Sequence, residues 1–169
     1  GFQHRKLHRD LDIVLWDAMR PLESQYLLPR GVLRERLSSL RRADAVIVTR
    51  QNLAVDPDPE LESFFESISP GLQVFRADAI AGQVQVLPGG GFAGDAVENA
   101  LSDLPLGAVC GIGNPLSFWR LLEKSDFDVV YRRALPDHYR PTADEMNGIV
   151  LQARAAGAQA IFVTEKDVQ

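Results

Sequence analysis

The chain has 169 residues, 46% of them apolar and 24% charged, and a net charge of −5. This balance belongs to one globular domain or two small ones, and it excludes a disordered tail, a collagen-like repeat and a disulfide-built miniprotein. Residues 1–50 carry ten Lys/Arg against six Asp/Glu, whereas the remainder carries eight against seventeen. The basic segment points to phosphate or an anionic surface as partner, or else to a solvated face.

The apolar run Leu11–Leu15 predicts a buried strand. Leu33, Leu37 and Leu40 are spaced for a helix over 32–40, and Ala45–Thr49 predicts a second buried strand. Asp58-Pro59 opens a short helix with a capping residue followed by proline, and Leu61, Phe64, Phe65 and Ile68 form its apolar stripe. Ser69-Pro70-Gly71 breaks the chain. Gln73–Ile80 and Gln83–Leu87 alternate and predict a hairpin or linker ribbon, with the Gly89–Gly91 run after it as a joint.

The second half is more regular. Gly107–Ile112 predicts a strand, Asn114-Pro115 a helix start, and Phe127–Leu135 a further strand. Thr142-x-x-Glu145 is a capping box that opens a helix, Gly157 stops it, and Ala160–Thr164 is the last strand. Strand–helix alternation predicts an α/β fold with parallel sheets.

No glycine is followed by lysine, so the phosphate-binding P-loop is absent; its nearest approximation, Gly89 to Gly94, puts Asp95 in the lysine position. Gly111-Ile112-Gly113 lacks the third glycine of a dinucleotide fingerprint. His4, His8, His138 and the lone Cys110 lack metal-site spacing. No run reaches the ~18–20 apolar residues of a membrane-spanning helix. His138 lies at the carboxyl end of a predicted strand, where open α/β sheets place ligand sites. It reads either as a proton-handling group or as a surface-loop residue. Thr164-Glu165-Lys166-Asp167 follows the last strand, and Arg30, Arg34, Glu35 and Arg36 crowd one turn, with arginines suited to phosphate.

Several segments together resemble one family, the tetraacyldisaccharide 4′-kinases. They are Gly1-Phe2-Gln3-His4, the run Arg9–Leu15, Leu28-Pro29-x-Gly31-x-Leu33-Arg34-Glu35 and Arg42-Ala43-Asp44. The resemblance continues in Gly111-Ile112-x-x-Pro115-x-x-Phe118, Asp137-His138-Tyr139 and Thr164–Asp167. Val32 departs from the usual proline.

The resemblance implies part of a P-loop kinase-like nucleotide domain over residues 1–70, a β-ribbon linker over 71–88 and a smaller α/β/α domain over 89–169. It also implies transfer of the γ-phosphate of ATP, with Mg²⁺, to the 4′-hydroxyl of a tetraacyldisaccharide 1-phosphate glycolipid. The expected place of work is peripheral, at the membrane surface on the cytoplasmic face of the bacterial inner membrane, with no nucleic-acid partner. His138 is expected as the catalytic histidine, paired with an aspartate outside these residues. Arg34 and Glu35 are expected beside phosphate, with Glu35 also at the metal. Gln3 and His4 are expected beside the acceptor sugar, while Asn114 and Lys166 have no assigned role. The chain reads as a piece lacking the P-loop, and alone it is expected to be inactive. The alternative is a non-catalytic glycolipid- or anion-binding α/β domain.

Overall fold

A computed structural model describes every residue except Gly1, 86–100, Ser102, His138 and Gln169. The Gly89–Gly91 joint and His138 therefore lie outside the described residues. The chain divides into two compact units, Gly1–Ala79 and Ile80–Gln169.

The first unit is built on a parallel sheet ordered β1-β2-β3, with β1 at Ile13–Asp17, β2 at Ala45–Thr49 and β3 at Gln73–Ala77. The central β2 buries Ala45, Val46 and Val48, as an apolar run between two parallel neighbours must. Helix α1, Leu61–Ile68, carries the expected stripe. Its Phe65 meets the Trp16 ring edge-on at 5.3 Å between centroids, and with Leu40, Val46, Val48 and Leu61 these rings form the core. Asp58 prepares the helix entry by accepting from the Glu60 N–H through Oδ1 at 3.0 Å.

Three expectations fail in this unit. The first strand runs Ile13–Asp17 rather than Leu11–Leu15 and is not a buried strand: it lies at the edge of its sheet, and Leu11, Ile13 and Leu15 are exposed. Val32–Leu40 does not form one helix. Leu33 pairs with Leu27 in an isolated bridge, and a 3-10 helix covers Leu37–Arg42. The backbone of Leu33 is committed to the preceding segment, since its N–H donates to the Tyr26 carbonyl and its carbonyl accepts from Leu28. Nor does Gln73–Ala77 pair with residues 83–85, the described part of the expected Gln83–Leu87 strand. It pairs in parallel with β2 and belongs to the first unit.

The second unit is a parallel sheet ordered β5-β4-β6, with β4 at Leu106–Cys110, β5 at Val129–Ala134 and β6 at Ala160–Val163. All five residues of β4 are buried. Helix α2, Pro115–Lys124, begins after Asn114 with proline in its first turn, and α3 spans Ala143–Ala155. The capping box of α3 forms: the Glu145 N–H donates to Thr142 Oγ1 at 3.3 Å, and the Thr142 N–H donates to Glu145 Oε2 at 2.8 Å. The helix ends in a Schellman motif. Gly157, at φ +93°, takes the left-handed position, and the Ala158 N–H reaches back to the Ala153 carbonyl at 2.9 Å. A final turn, α4, covers Glu165–Val168.

Candidate functional site

In the first unit a cavity of about 370 Å³ opens at the carboxyl end of β1, the edge where parallel sheets place ligands. Its polar lining includes Gln3, Asp17, Arg20, Arg34 and Glu35. Three residues singled out from the sequence, Gln3, Arg34 and Glu35, thus face one space. His4 is not among the lining residues; its carbonyl accepts from Arg9 Nη1 at 3.0 Å.

Glu35 is held rather than loose. Arg42 donates Nη2 to its Oε2 at 2.5 Å, and the Arg42 guanidinium also lies over the Phe2 ring at 4.7 Å. The Arg42 hydrogen bond, with a second from Ser39, lowers the Glu35 carboxyl below the ordinary glutamate range. A carboxylate lowered in the folded state stabilises above its unfolded pKa, and that contribution is lost as pH falls through the lower folded value. Glu35→Gln is therefore expected to lower the melting temperature at neutral pH. The deficit should fade as the pH falls below the ordinary glutamate range and through the lower value of folded Glu35, where the wild-type carboxylate gains its proton. Paired thermal melts across pH check this, and a deficit independent of pH would contradict it.

Asp17 belongs to no motif that the sequence singles out. It ends the run that forms β1, so its place at a strand's carboxyl end was the available signal. Its Oδ2 lies 3.4 Å from Arg50 Nη1 and 3.7 Å from Arg20 Nε. Arg50 itself sits at φ +56°, an uncommon conformation for a residue with a side chain.

Among the described residues no three His, Cys, Asp or Glu side chains are grouped to hold a metal ion. Glu35, already bonded to Arg42 and Ser39, does not make a magnesium site by itself. The described donor set does not fit Mg²⁺ without further ligands.

The second unit gathers its polar groups at the carboxyl edge of its own sheet. The loop after β4 carries Gly111, the loop after β5 carries Asp137 and Tyr139, and the segment after β6 carries Thr164, Lys166 and Asp167. Asp167 Oδ1 accepts from the Gly111 N–H at 2.9 Å, and Lys166 Nζ donates to Asp137 Oδ1 at 2.6 Å. Tyr139 donates Oη to Glu145 Oε1 at 2.7 Å, which raises the tyrosine hydroxyl's pKa. The Thr142 backbone N–H, followed by the Tyr139 hydroxyl, holds the Glu145 carboxyl low. Burial pushes the Cys110 thiol up, and the Asp167 charge adds to this, so Cys110 is a packed thiol rather than a nucleophile.

The family model for tetraacyldisaccharide-1-phosphate 4′-kinase matches residues 1–169. The chain belongs to this family. A tetraacyldisaccharide 4′-kinase of Syntrophobacter fumaroxidans is 36% identical over 170 residues, covering 99% of this chain and 43% of that protein. One from Anaeromyxobacter dehalogenans is 37% identical over 168 residues, again covering 99% and 43%. A crystal structure of the Aquifex aeolicus family member LpxK in complex with ATP superposes with a TM-score of 0.53 at 25% identity. That match covers 99% of this chain and 45% of the other. The chain thus spans less than half the length of the kinases it matches. The likeness to LpxK agrees with the expected α/β, P-loop kinase-like class, and both sheets are parallel.

Proposed function

We propose that the complete kinase carrying these residues transfers the γ-phosphate of ATP to the 4′-hydroxyl of a tetraacyldisaccharide 1-phosphate, the lipid A precursor. The observation that carries this reading is the family match over residues 1–169. The cavity lined by Gln3, Arg34 and Glu35 supports it, because those positions carry the resemblance.

Phosphoryl transfer leaves a protein little covalent work; it demands positioning and charge neutralisation. Arg34 provides a guanidinium that stays charged and matches phosphate oxygens in pairs. It offsets the charge that develops on the transferred group. Glu35, fixed by Arg42, keeps a carboxylate on the same wall. Gln3 and His4 are proposed to face the acceptor sugar. His138 is proposed to hold or relay the proton that the 4′-hydroxyl loses, together with an aspartate beyond these residues. Mg²⁺, when bound, supplies positive charge to the phosphates; Glu35 is the residue here proposed to lie beside it, with other ligands supplied from elsewhere.

The proposed domain assignment is a nucleotide-handling portion that includes β3, a linker from there to residue 88 and a smaller α/β/α domain from 89 onward. The proposed setting is peripheral, on the cytoplasmic face of the inner membrane, where the acyl chains of the acceptor lie. No helix among the described residues is long and apolar enough to cross a membrane. The binding-only alternative is not favoured, because the relatives matched across the chain are named as kinases.

The test is an assay with γ-labelled ATP, Mg²⁺ and the acyl-disaccharide 1-phosphate. The complete kinase is expected to label the glycolipid, and the 169-residue chain alone is expected not to, since it holds no P-loop. Failure of the complete kinase to label it would overturn the reading.

A further inference from the structure

Charge gathers at the carboxyl edge of the first sheet. Asp17 ends β1, and Arg20 follows in the next turn, its N–H donating to the Asp17 carbonyl at 3.0 Å. Both residues line the cavity beside Arg34, Glu35 and Arg36. Asp17 Oδ2 lies 3.7 Å from Arg20 Nε and 3.4 Å from Arg50 Nη1. Its Oδ1 accepts from the Met19 N–H at 3.2 Å, which fixes the carboxylate to the turn that carries Arg20.

The two carboxylates on this wall are neutralised from behind. Arg50 pairs with Asp17 and Arg42 with Glu35, and neither arginine lines the cavity. Among the described residues, Arg20, Arg34 and Arg36 then remain as the positive charge facing the space. Three guanidiniums around about 370 Å³ repel one another unless an anion sits between them. At 3.7 Å the Arg20 contact with Asp17 is an ion pair, too long for a hydrogen bond. The guanidinium is thus aimed by Asp17 while its fork of donors suits another acceptor, and that fork matches phosphate oxygens in pairs.

We infer that Arg20 is a second phosphate-binding residue of this cavity, aimed by Asp17, and that Arg50 keeps Asp17 from repelling the phosphate. The inference rests on the proposed phosphoryl transfer for its ligand. The phosphates of the nucleotide and the 1-phosphate of the acceptor present the same chemistry to Arg20. Asp17 and Arg50 are positioning residues.

The experiment uses the complete kinase. Arg20→Ala is expected to raise the KM for one substrate ~10- to 100-fold, the weight of hydrogen bonds to a charged group, with kcat changing less. Arg20→Lys keeps the charge without the fork and is expected to recover part of the loss. Arg50 sits at φ +56°, which asparagine tolerates, so Arg50→Asn removes the charge without new backbone strain. It is expected to raise the same KM, and to have no further effect once Asp17→Asn has removed the carboxylate that Arg50 neutralises. A rise for ATP identifies the nucleotide's phosphates as the ligand. A rise for the glycolipid that disappears with an acceptor lacking the 1-phosphate identifies that group. Isothermal titration with inorganic tripolyphosphate gives a readout apart from turnover, and Arg20→Ala is expected to weaken that binding by the same factor.

Wild-type KM values for both substrates in Arg20→Ala would overturn the inference. So would an unweakened tripolyphosphate affinity, or losses from Arg50→Asn and Asp17→Asn that simply add. In a kinase that still labels the glycolipid, each of these results leaves the proposed reaction standing. A complete kinase that labels no glycolipid overturns the reaction, while the tripolyphosphate titration still tests Arg20.

Discussion

In the complete kinase, His138→Ala is expected to lower kcat by roughly 10²–10⁴, the weight of a positioned proton-transfer group. The KM for ATP should move little, because in the proposed role the loss falls on the acceptor's proton and not on nucleotide binding. The neighbours of His138 explain why no other residue of its loop should substitute for it. The Asp137 carboxylate is engaged by Lys166. The Tyr139 hydroxyl is engaged by Glu145 and its pKa is raised, which makes it a poor proton acceptor near neutrality. Steady-state kinetics with varied ATP and fixed glycolipid check the prediction. Wild-type turnover would remove His138 from the chemistry.

Gly31→Ala is expected to damage the first unit as severely, by a different route. A Cβ at position 31 would stand 2.3 Å from the Tyr26 carbonyl oxygen and 2.8 Å from its carbon. Both are backbone atoms, so no flexible side chain can swing away. The same carbonyl accepts from the Leu33 N–H at 3.0 Å, and the Gly31 N–H donates to the Leu27 carbonyl at 3.0 Å. Making room for the methyl group must open this loop and shift the two residues that follow Leu33. Those are Arg34 and Glu35, on the wall of the cavity. Overpacking of this kind costs about 1–3 kcal/mol, and a shift of about 1 Å at the proposed phosphate-binding residues costs up to ~10²-fold in kcat. A urea titration of the chain and the turnover of the complete kinase measure the two effects. An unchanged midpoint with unchanged kcat would show that the loop has slack that the close approach to Tyr26 denies.

Sequence patterns recover the elements whose signals are local. Ala45–Thr49 is a strand over the expected residues because four consecutive apolar, mostly β-branched residues suit a central strand between parallel neighbours. The capping box at Thr142 and the stop at Gly157 are set by two or three nearby residues, and both form. The misreadings arise where distant pairing decides. Gln73–Ala77 alternates and three of its five residues are exposed, which looks like a hairpin strand; its partner is β2, more than twenty residues earlier in the sequence. Leu33, Leu37 and Leu40 have helical spacing, but the hydrogen bonds that tie Leu33 back to Tyr26 and Leu28 postpone any helix to Leu37.

The site divides in the same way. Arg34 and Glu35 are adjacent in sequence, and the family resemblance pointed to them. The Arg42 contact that lowers the Glu35 pKa joins residues seven apart, one of them before the 3-10 helix, and could not be read from spacing. Asp17 was legible only as a carboxylate ending a strand. Lys166 and Asp137 are 29 positions apart, and only the parallel order β5-β4-β6 brings their loops to one edge.

The most direct test of the central claim is ³¹P NMR of the glycolipid after incubation with ATP, Mg²⁺ and the complete kinase. The account predicts a second phosphomonoester signal beside that of the 1-phosphate, and no such signal when the acceptor lacks its 4′-hydroxyl. A second signal from the 4′-deoxy acceptor, or none from the natural one, would contradict it.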